Sequence, residues 1–237
     1  MAKDKNKIKL KSEEVKKRER GIKVLKLALL LCLLFLVTIY FILRLMYTNG
    51  AFTVSLDQNF AKKTGIILFE NLETMESKRV LEAEKPEFMD NISINWLPSN
   101  INDRAEGSHN GENFIAYTFY IHNQGSSTIH YWYAILIDDV IRNVDEAIRV
   151  MIYQNGERTV YAKQSPGGGA ENGTTPFHSE EFVMLEQRRE FREGETDKYT
   201  IVIWVEGDDP QCKDPLIGGE MKMHMEITEE HFLEKGE

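Results

Sequence analysis

Asn113–Ile137 reads NFIAYTFYIHNQGSSTIHYWYAILI, and its two apolar runs decide the fold class. In the first run Ile115, Tyr117, Phe119 and Ile121 fall on one face of an extended chain. Phe114, Ala116, Thr118 and Tyr120 fall on the other. Asn123-Gln124-Gly125-Ser126 supplies turn chemistry, since Asn tolerates the left-handed region and Gly enters it freely. Ile129–Ile137 then returns, so the stretch predicts a strand pair closed as a hairpin. Both runs are apolar on both faces near their middles, which predicts central strands covered on each side. Tyr117, Phe119, Tyr131, Trp132 and Tyr133 are expected to give the core much of its area.

Downstream, Asp138–Ile148 reads as a crossover with a helical turn at Val144–Ala147. Arg149–Tyr153 and Thr159–Ala162 flank Asn155-Gly156, the strongest hairpin signal in the chain. Ser165–Thr175 is a glycine-rich loop. No Lys-Ser/Thr and no helix follow its three consecutive glycines, so it does not read as a phosphate cradle. Phe182–Phe191 is charged and ambiguous, and Glu193-Gly194-Glu195 is a turn. Tyr199–Val205 is rich in β-branched residues and reads as a strand. After the loop Glu206–Gly219, a last strand places Met221, Met223, Met225 and Ile227 on one face. Lys222, His224 and Glu226 take the other, which should be wet.

Upstream, Phe52, Val54 and Leu56 alternate with polar residues as a first strand, and Gly65–Phe69 is a second candidate. Residues 70–87 are charged and read as a short surface helix or a loop. Ile92, Ile94 and Trp96 alternate again, as a strand would. The polar loop Pro98–Asn113 carries Asn102, Asp103 and Glu106, and reads as solvated rather than cation-holding. Eight to ten short strands with no long amphipathic helix predict an all-β, antiparallel sandwich.

Before this domain lies Leu27–Leu43, LALLLCLLFLVTIYFIL, 17 residues without a charge. At 1.5 Å per residue they make about 26 Å of helix, and their flanks extend it to the ~30 Å of a hydrocarbon core. Lys23, Lys26 and Arg44 are placed to snorkel, and Tyr47 to anchor at the interface. Residues 1–26 carry 11 Lys and Arg against 4 Asp and Glu, whereas residues 45–237 carry 17 against 34. The positive-inside rule then puts a basic tail, residues 1–22, in the cytoplasm. A signal anchor follows at 23–47, and residues 48–237 lie outside. The expected setting is a single-pass protein of the cell membrane. The alternative is a cleaved signal peptide and secretion, but cleavage after Ala51 would leave Asn49 at the −3 position.

The acidity of the outer domain excludes nucleic acid as a partner. Cys32 lies in the span and Cys212 in the domain, so no disulfide forms within the domain, a usage that suits a bacterial surface. The sequence contains no HExxH and no GxSxG. The histidines show no ligand spacing for a zinc site. The Asn-X-Ser/Thr tripeptides at Asn91 and Asn172 matter only in a pathway with oligosaccharyltransferase. The densest carboxylate cluster is Glu206-Gly-Asp-Asp-Pro-Gln-Cys-Lys-Asp214. Asp208, Asp209 and Asp214 are its candidate calcium ligands, and a capped inter-strand loop is the alternative reading.

The run Tyr199–Met225, YTIVIWVEGDDPQCKDPLIGGEMKMHM, resembles the terminal strand-loop-strand of Gram-positive surface proteins of the camelysin and TasA type. The turn His122-Asn-Gln-Gly125 is similar to the N-x-G turn of such surface sandwiches, and the likeness lies mainly within residues 113–227. The resemblance implies a jelly-roll-like domain outside the cell and, for some members, assembly into surface or matrix material. Protease activity is ascribed to camelysin-like members, but no metal motif here receives it. Three functions follow as expectations. The first is a non-enzymatic surface protein with a structural or interaction role, anchored in the bilayer through Leu27–Leu43. Its partners would be further copies or other surface proteins, and it would need no cofactor beyond a calcium ion at the acidic loop. The second is a ligand-binding accessory of a membrane complex, and the third a metal-dependent envelope hydrolase. Cleavage would make the chain a secreted matrix or fibre component.

Overall fold

In the computed structural model of the chain, residues 22–42, 52–86 and 88–229 are described. The chain divides into two units, Met1–Asn49 and Gly50–Glu237. In the first, helix α1 (Ile22–Ile42, 21 residues) is long and apolar enough to cross a membrane. The Thr38 hydroxyl donates to the Leu34 carbonyl at 2.8 Å, so its polar atom is satisfied within the helix. The basic tail up to residue 21, Arg44, Tyr47, the cleavage point after Ala51 and the last eight residues lie outside the described residues.

The second unit is built from strands. In chain order the first elements are β1 (Phe52–Leu56), helix α2 (Gln58–Thr64), β2 (Ile66–Phe69), β3 (Val80–Glu82) and β4 (Gly107–Ser108). They are followed by β5 (Ile115–Asn123), β6 (Ile129–Ile141), β7 (Ile148–Gln154) and β8 (Glu157–Ala162). The last are β9 (Thr175–Pro176), β10 (Phe182–Phe191), β11 (Thr196–Val205) and β12 (Glu220–Thr228). One sheet has the order β10-β6-β12-β1-β3. The other has β2-β5-β11-β7-β8-β9, with β4 also on β5. Inner-face residues of both sheets form one core: Phe52, Tyr131, Tyr133, Met223 and Met225 from the first, Ile115, Tyr117, Phe119, Ile201 and Tyr199 from the second. The predicted alternation of β5 and β12 holds. A smaller cluster on the outer side of the second sheet joins Phe114, Ala116, Met151, Val202 and Trp204 to Ile92 and Ile101. That cluster is why β5 and β11 are apolar on both faces, whereas the outer face of β6, with Trp132 and Leu136, is only half-buried.

Three expectations are corrected. The stretch Asn113–Ile137 is not a hairpin: β5 pairs with β2, β4 and β11, while β6 pairs with β10 and β12 in the opposite sheet. The turn between them crosses the core. Asn123 fixes it, receiving Gly125 N–H on Oδ1 at 3.1 Å and donating through Nδ2 to Ser127 O and Phe191 O, each at 2.9 Å. The sheets are not wholly antiparallel either, because β1 runs parallel to β12 and β8 parallel to β9. Finally, Ile92–Trp96 is not a strand. Ser93 caps a 3-10 turn at Ile94–Trp96 by accepting Asn95 N–H, and this turns the Trp96 ring into solvent, 73% exposed. Helix α2 is a further element, capped by Asp57, which accepts Phe60 N–H at 2.7 Å, and by left-handed Gly65.

The crossover turn packs against the end of α2. A Cβ at Gly125 would lie 1.9 Å from the Thr64 carbonyl oxygen, and one at Gly65 2.9 Å from Gly125 Cα. Two backbones meet there with no space for a side chain. Gly125→Ala should therefore destabilise the sandwich by about 1–3 kcal/mol. Gly167→Ala, with nothing within 4 Å of its Cβ, should change stability by less than about 0.5 kcal/mol. Urea unfolding of the two variants measures the contrast, and equal midpoints would show that the close approach is not a constraint.

Candidate ligand-binding cavity at the open end of the sandwich

The two ends of the sandwich differ in chemistry. At one end a polar network closes the space between the sheets. Asp197 of β11 is buried, and its carboxylate accepts from the Tyr131 hydroxyl at 2.7 Å, Arg188 Nε at 2.9 Å and Asn155 Nδ2 at 2.8 Å. Gln154 Nε2 donates to the Tyr199 hydroxyl at 2.9 Å, and that hydroxyl lies 3.0 Å from the Tyr131 oxygen. Tyr133 and Tyr161 both reach Glu186, each at 2.8 Å. Burial, with the charge of Asp197 nearby, pushes the Tyr131 phenol far above its ordinary range; Tyr199 rises likewise, burial again leading. Both stay protonated and serve as donors.

At the other end the sheets part around a cavity of about 590 Å³. Its floor is apolar: Met221 and Met223 of β12 face Ile115, Ile148, Ile203 and Val205 of the opposite sheet, with Val144 beside them. Lys85, Pro86, Phe88–Asn91 and the loop Cys212–Gly219 form the rim. Two large apolar side chains stand there in solvent, Phe88 at 71% and Ile217 at 67% exposure. The charged lining is balanced, with Lys85, Lys213 and Lys222 against Asp90, Asp214 and Glu220. Lys85 Nζ and Glu220 Oε1 pair at 2.6 Å. Gly219 sets the height of the loop, since a Cβ there would lie 2.7 Å from Val144 Cβ. The size and the apolar walls with few polar groups are those of a small-molecule pocket.

The acidic loop does not bring its three candidate calcium ligands together. Asp208 accepts the Ser93 hydroxyl at 2.6 Å, Asp209 is paired with Arg149, and Asp214 opens a 3-10 turn on the cavity rim. Among the described residues no three His, Cys, Asp or Glu side chains gather as a metal site requires. Asp103, in the loop read as solvated, is paired with Lys198 Nζ at 3.0 Å. The acidic loop is instead fastened to the second sheet. Buried Arg149 of β7 holds both Asp209 and Glu171, tying the loop and the glycine-rich segment to one guanidinium. Glu206 accepts Trp204 Nε1 at 3.0 Å and Ile94 N–H at 3.1 Å, which fixes the 3-10 turn over the outer cluster.

A second cavity, about 420 Å³, lies beside Lys163. Lys163 is consumed by Asp145 at 2.7 Å and Glu146 at 3.1 Å, an ion cluster that holds the turn after β6 onto β8. Sequence pattern does not single out Phe88, Met89, Leu216 and Ile217 of the open-end cavity. Their signal is an apolar residue in an otherwise polar loop, Phe88 and Met89 after Pro86, and Leu216-Ile217 before two glycines.

No family model and no curated protein matches the chain. A beta-glucosidase from Kluyveromyces marxianus in complex with glucose is similar at 12% identity and a TM-score of 0.24, covering 71% of this chain and 15% of that one. The selenomethionine-labelled form of that beta-glucosidase is similar at 9% identity and a TM-score of 0.24, covering 71% and 16%. This chain thus spans less than a fifth of either chain, and at that TM-score the likeness bears on neither fold nor activity.

The Arg149 triad sets one pH dependence. Burial and the neighbouring Asp209 raise the Glu171 carboxyl above its ordinary 4.5, against the opposing pull of Arg149. The folded state therefore holds this proton more tightly than the unfolded state. The stability so contributed is complete below pH 4.5 and is lost as pH rises through the raised folded value. The stability difference between the native chain and Glu171→Gln should fall across that window and then level off. Denaturant titrations from pH 4 to 8 check it, and a flat difference would mean that Arg149 fully neutralises Glu171.

Proposed function

We propose that the chain is a single-pass, membrane-anchored binding protein of the bacterial cell surface, with its sandwich outside and no enzymatic activity. The open-end cavity carries this reading: an apolar recess between two sheets, flanked by exposed Phe88 and Ile217, is built to take a ligand. On its rim Lys85 is engaged with Glu220. Helix α1 supports anchoring by its length and composition. The jelly-roll character, the camelysin- and TasA-like kinship and a structural role through surface partners belong to the same proposal.

Two measurements test it. Fractionation with intact mass should recover the chain in the membrane at full mass. A released species beginning near residue 50 would instead make it a secreted protein. For binding, Cys32→Ser leaves Cys212 on the cavity rim as the remaining thiol for an environment-sensitive fluorophore. In nanodiscs, a neutral naphthalene derivative should shift its emission saturably. The double variant Phe88→Asp/Ile217→Asp, changed only at exposed positions, should bind roughly tenfold more weakly. An unsaturable signal, equal in both proteins, would sink the binding role.

A further inference from the structure

Building on the binding reading above, we infer that the ligand of the open end is a bilayer lipid. One acyl chain enters between the sheets, and an uncharged or zwitterionic head stays at the rim. The floor decides the chemistry of the buried part. Ile115, Ile148, Ile203, Met221 and Met223 offer no side-chain donor; Ile203 is paired with β5 and β7 and Met223 with β6 and β1, while Ile115 and Ile148 are each paired with β11. Met221 pairs with Val140 in β6. A sugar, a nucleotide or a peptide backbone placed there would bury polar groups without partners. A hydrocarbon chain has none to lose. The two methionines are unbranched and polarisable, so the wall adapts to a flexible chain.

The rim decides the head. Three lysines and three carboxylates leave no net field to favour an anion or a cation. Lys213 and Asp214, adjacent and exposed, present one charge of each sign, the complement of a phosphate and an amine on one molecule. Position decides the source. Phe52, the first residue of β1, pairs with Met223 of the floor, so the chain enters the sandwich at the cavity end. Nine residues separate Phe52 from Ile42, the last of α1, and a ten-residue step reaches at most about 36 Å. A tether of that length to a bilayer-spanning helix gives the domain lipid at high effective concentration.

The test is photo-crosslinking of the full chain in phosphatidylcholine liposomes, with adducts mapped by mass spectrometry. Three probes are used: phosphatidylcholine with a diazirine in its acyl chain, phosphatidylglycerol with the same chain, and a short aryl diazirine. Adducts on α1 report that the chain is inserted. We expect the phosphatidylcholine probe to label Glu220–Met223 and Ile203–Val205 as well, and Phe88→Asp/Ile217→Asp to lose that labelling while keeping it on α1. Acyl adducts confined to α1, with the aryl probe still labelling the cavity, would overturn the lipid assignment and leave the binding role standing. Absence of all three probes from the cavity would overturn both. Stronger labelling by phosphatidylglycerol would overturn the neutral head.

Discussion

A buried carboxylate organises the sandwich. Asp197 is almost fully enclosed, and an unpaired charge there would be prohibitive. Its partners come from four places: Tyr131 on β6, Arg188 on β10, Asn155 in the β7–β8 turn, and Tyr199 through Tyr131. Two of these strands belong to one sheet and the rest to the other. Satisfying Asp197 thus requires both sheets to be present and in register, which gives the core a specificity that apolar contacts alone lack. It also closes one end of the molecule. Among the described residues the other end has no such group, and there the sheets part over Ile, Val and Met side chains.

The sequence announces faces better than it announces partners. Alternation in β5 and β12 predicts which side chains go inward, because period two is a local property of an extended chain. Asn155-Gly156 predicts the β7–β8 hairpin, because both residues adopt the positive φ that the tight turn demands. The pairing of β5 with β6 looked equally local and was not. Its turn is compatible with a hairpin or a crossover, and the choice falls to contacts made far along the chain: Gly125 against Thr64, and Asn123 against Phe191. Strand β10 was ambiguous for a related reason. Its middle, EQRRE, reads as solvent, yet Glu186 accepts from Tyr133 and Tyr161 and Arg188 donates to Asp197, while Val183, Met184 and Phe191 join the core.

The candidate site was less legible than the fold. Acidic residues concentrated between Glu206 and Asp214 draw attention to metal chemistry, yet two of the three are committed to a hydroxyl and a guanidinium. Composition reveals a charge but not the buried Arg149 that claims it. The cavity has the opposite problem. Ile115, Ile203 and Met223 look like any core residue, and what makes them a floor is the parting of the sheets beside them, a property of three-dimensional packing.

An open apolar end on a strand-rich domain carries an aggregation hazard, and the edges bear on how it is contained. The aromatic strands β5 and β6 are paired on both sides, so neither offers a free edge to a second copy. The true edges are short or charged. β2 has four residues, β3 three and β9 two, and the ten-residue β10 carries exposed Arg189 and Glu190. Self-association through sheet edges is therefore opposed by the same molecule that leaves its end apolar. Phe88 and Ile217 add exposed hydrophobic surface beside the recess, where a strand finds no ladder to extend.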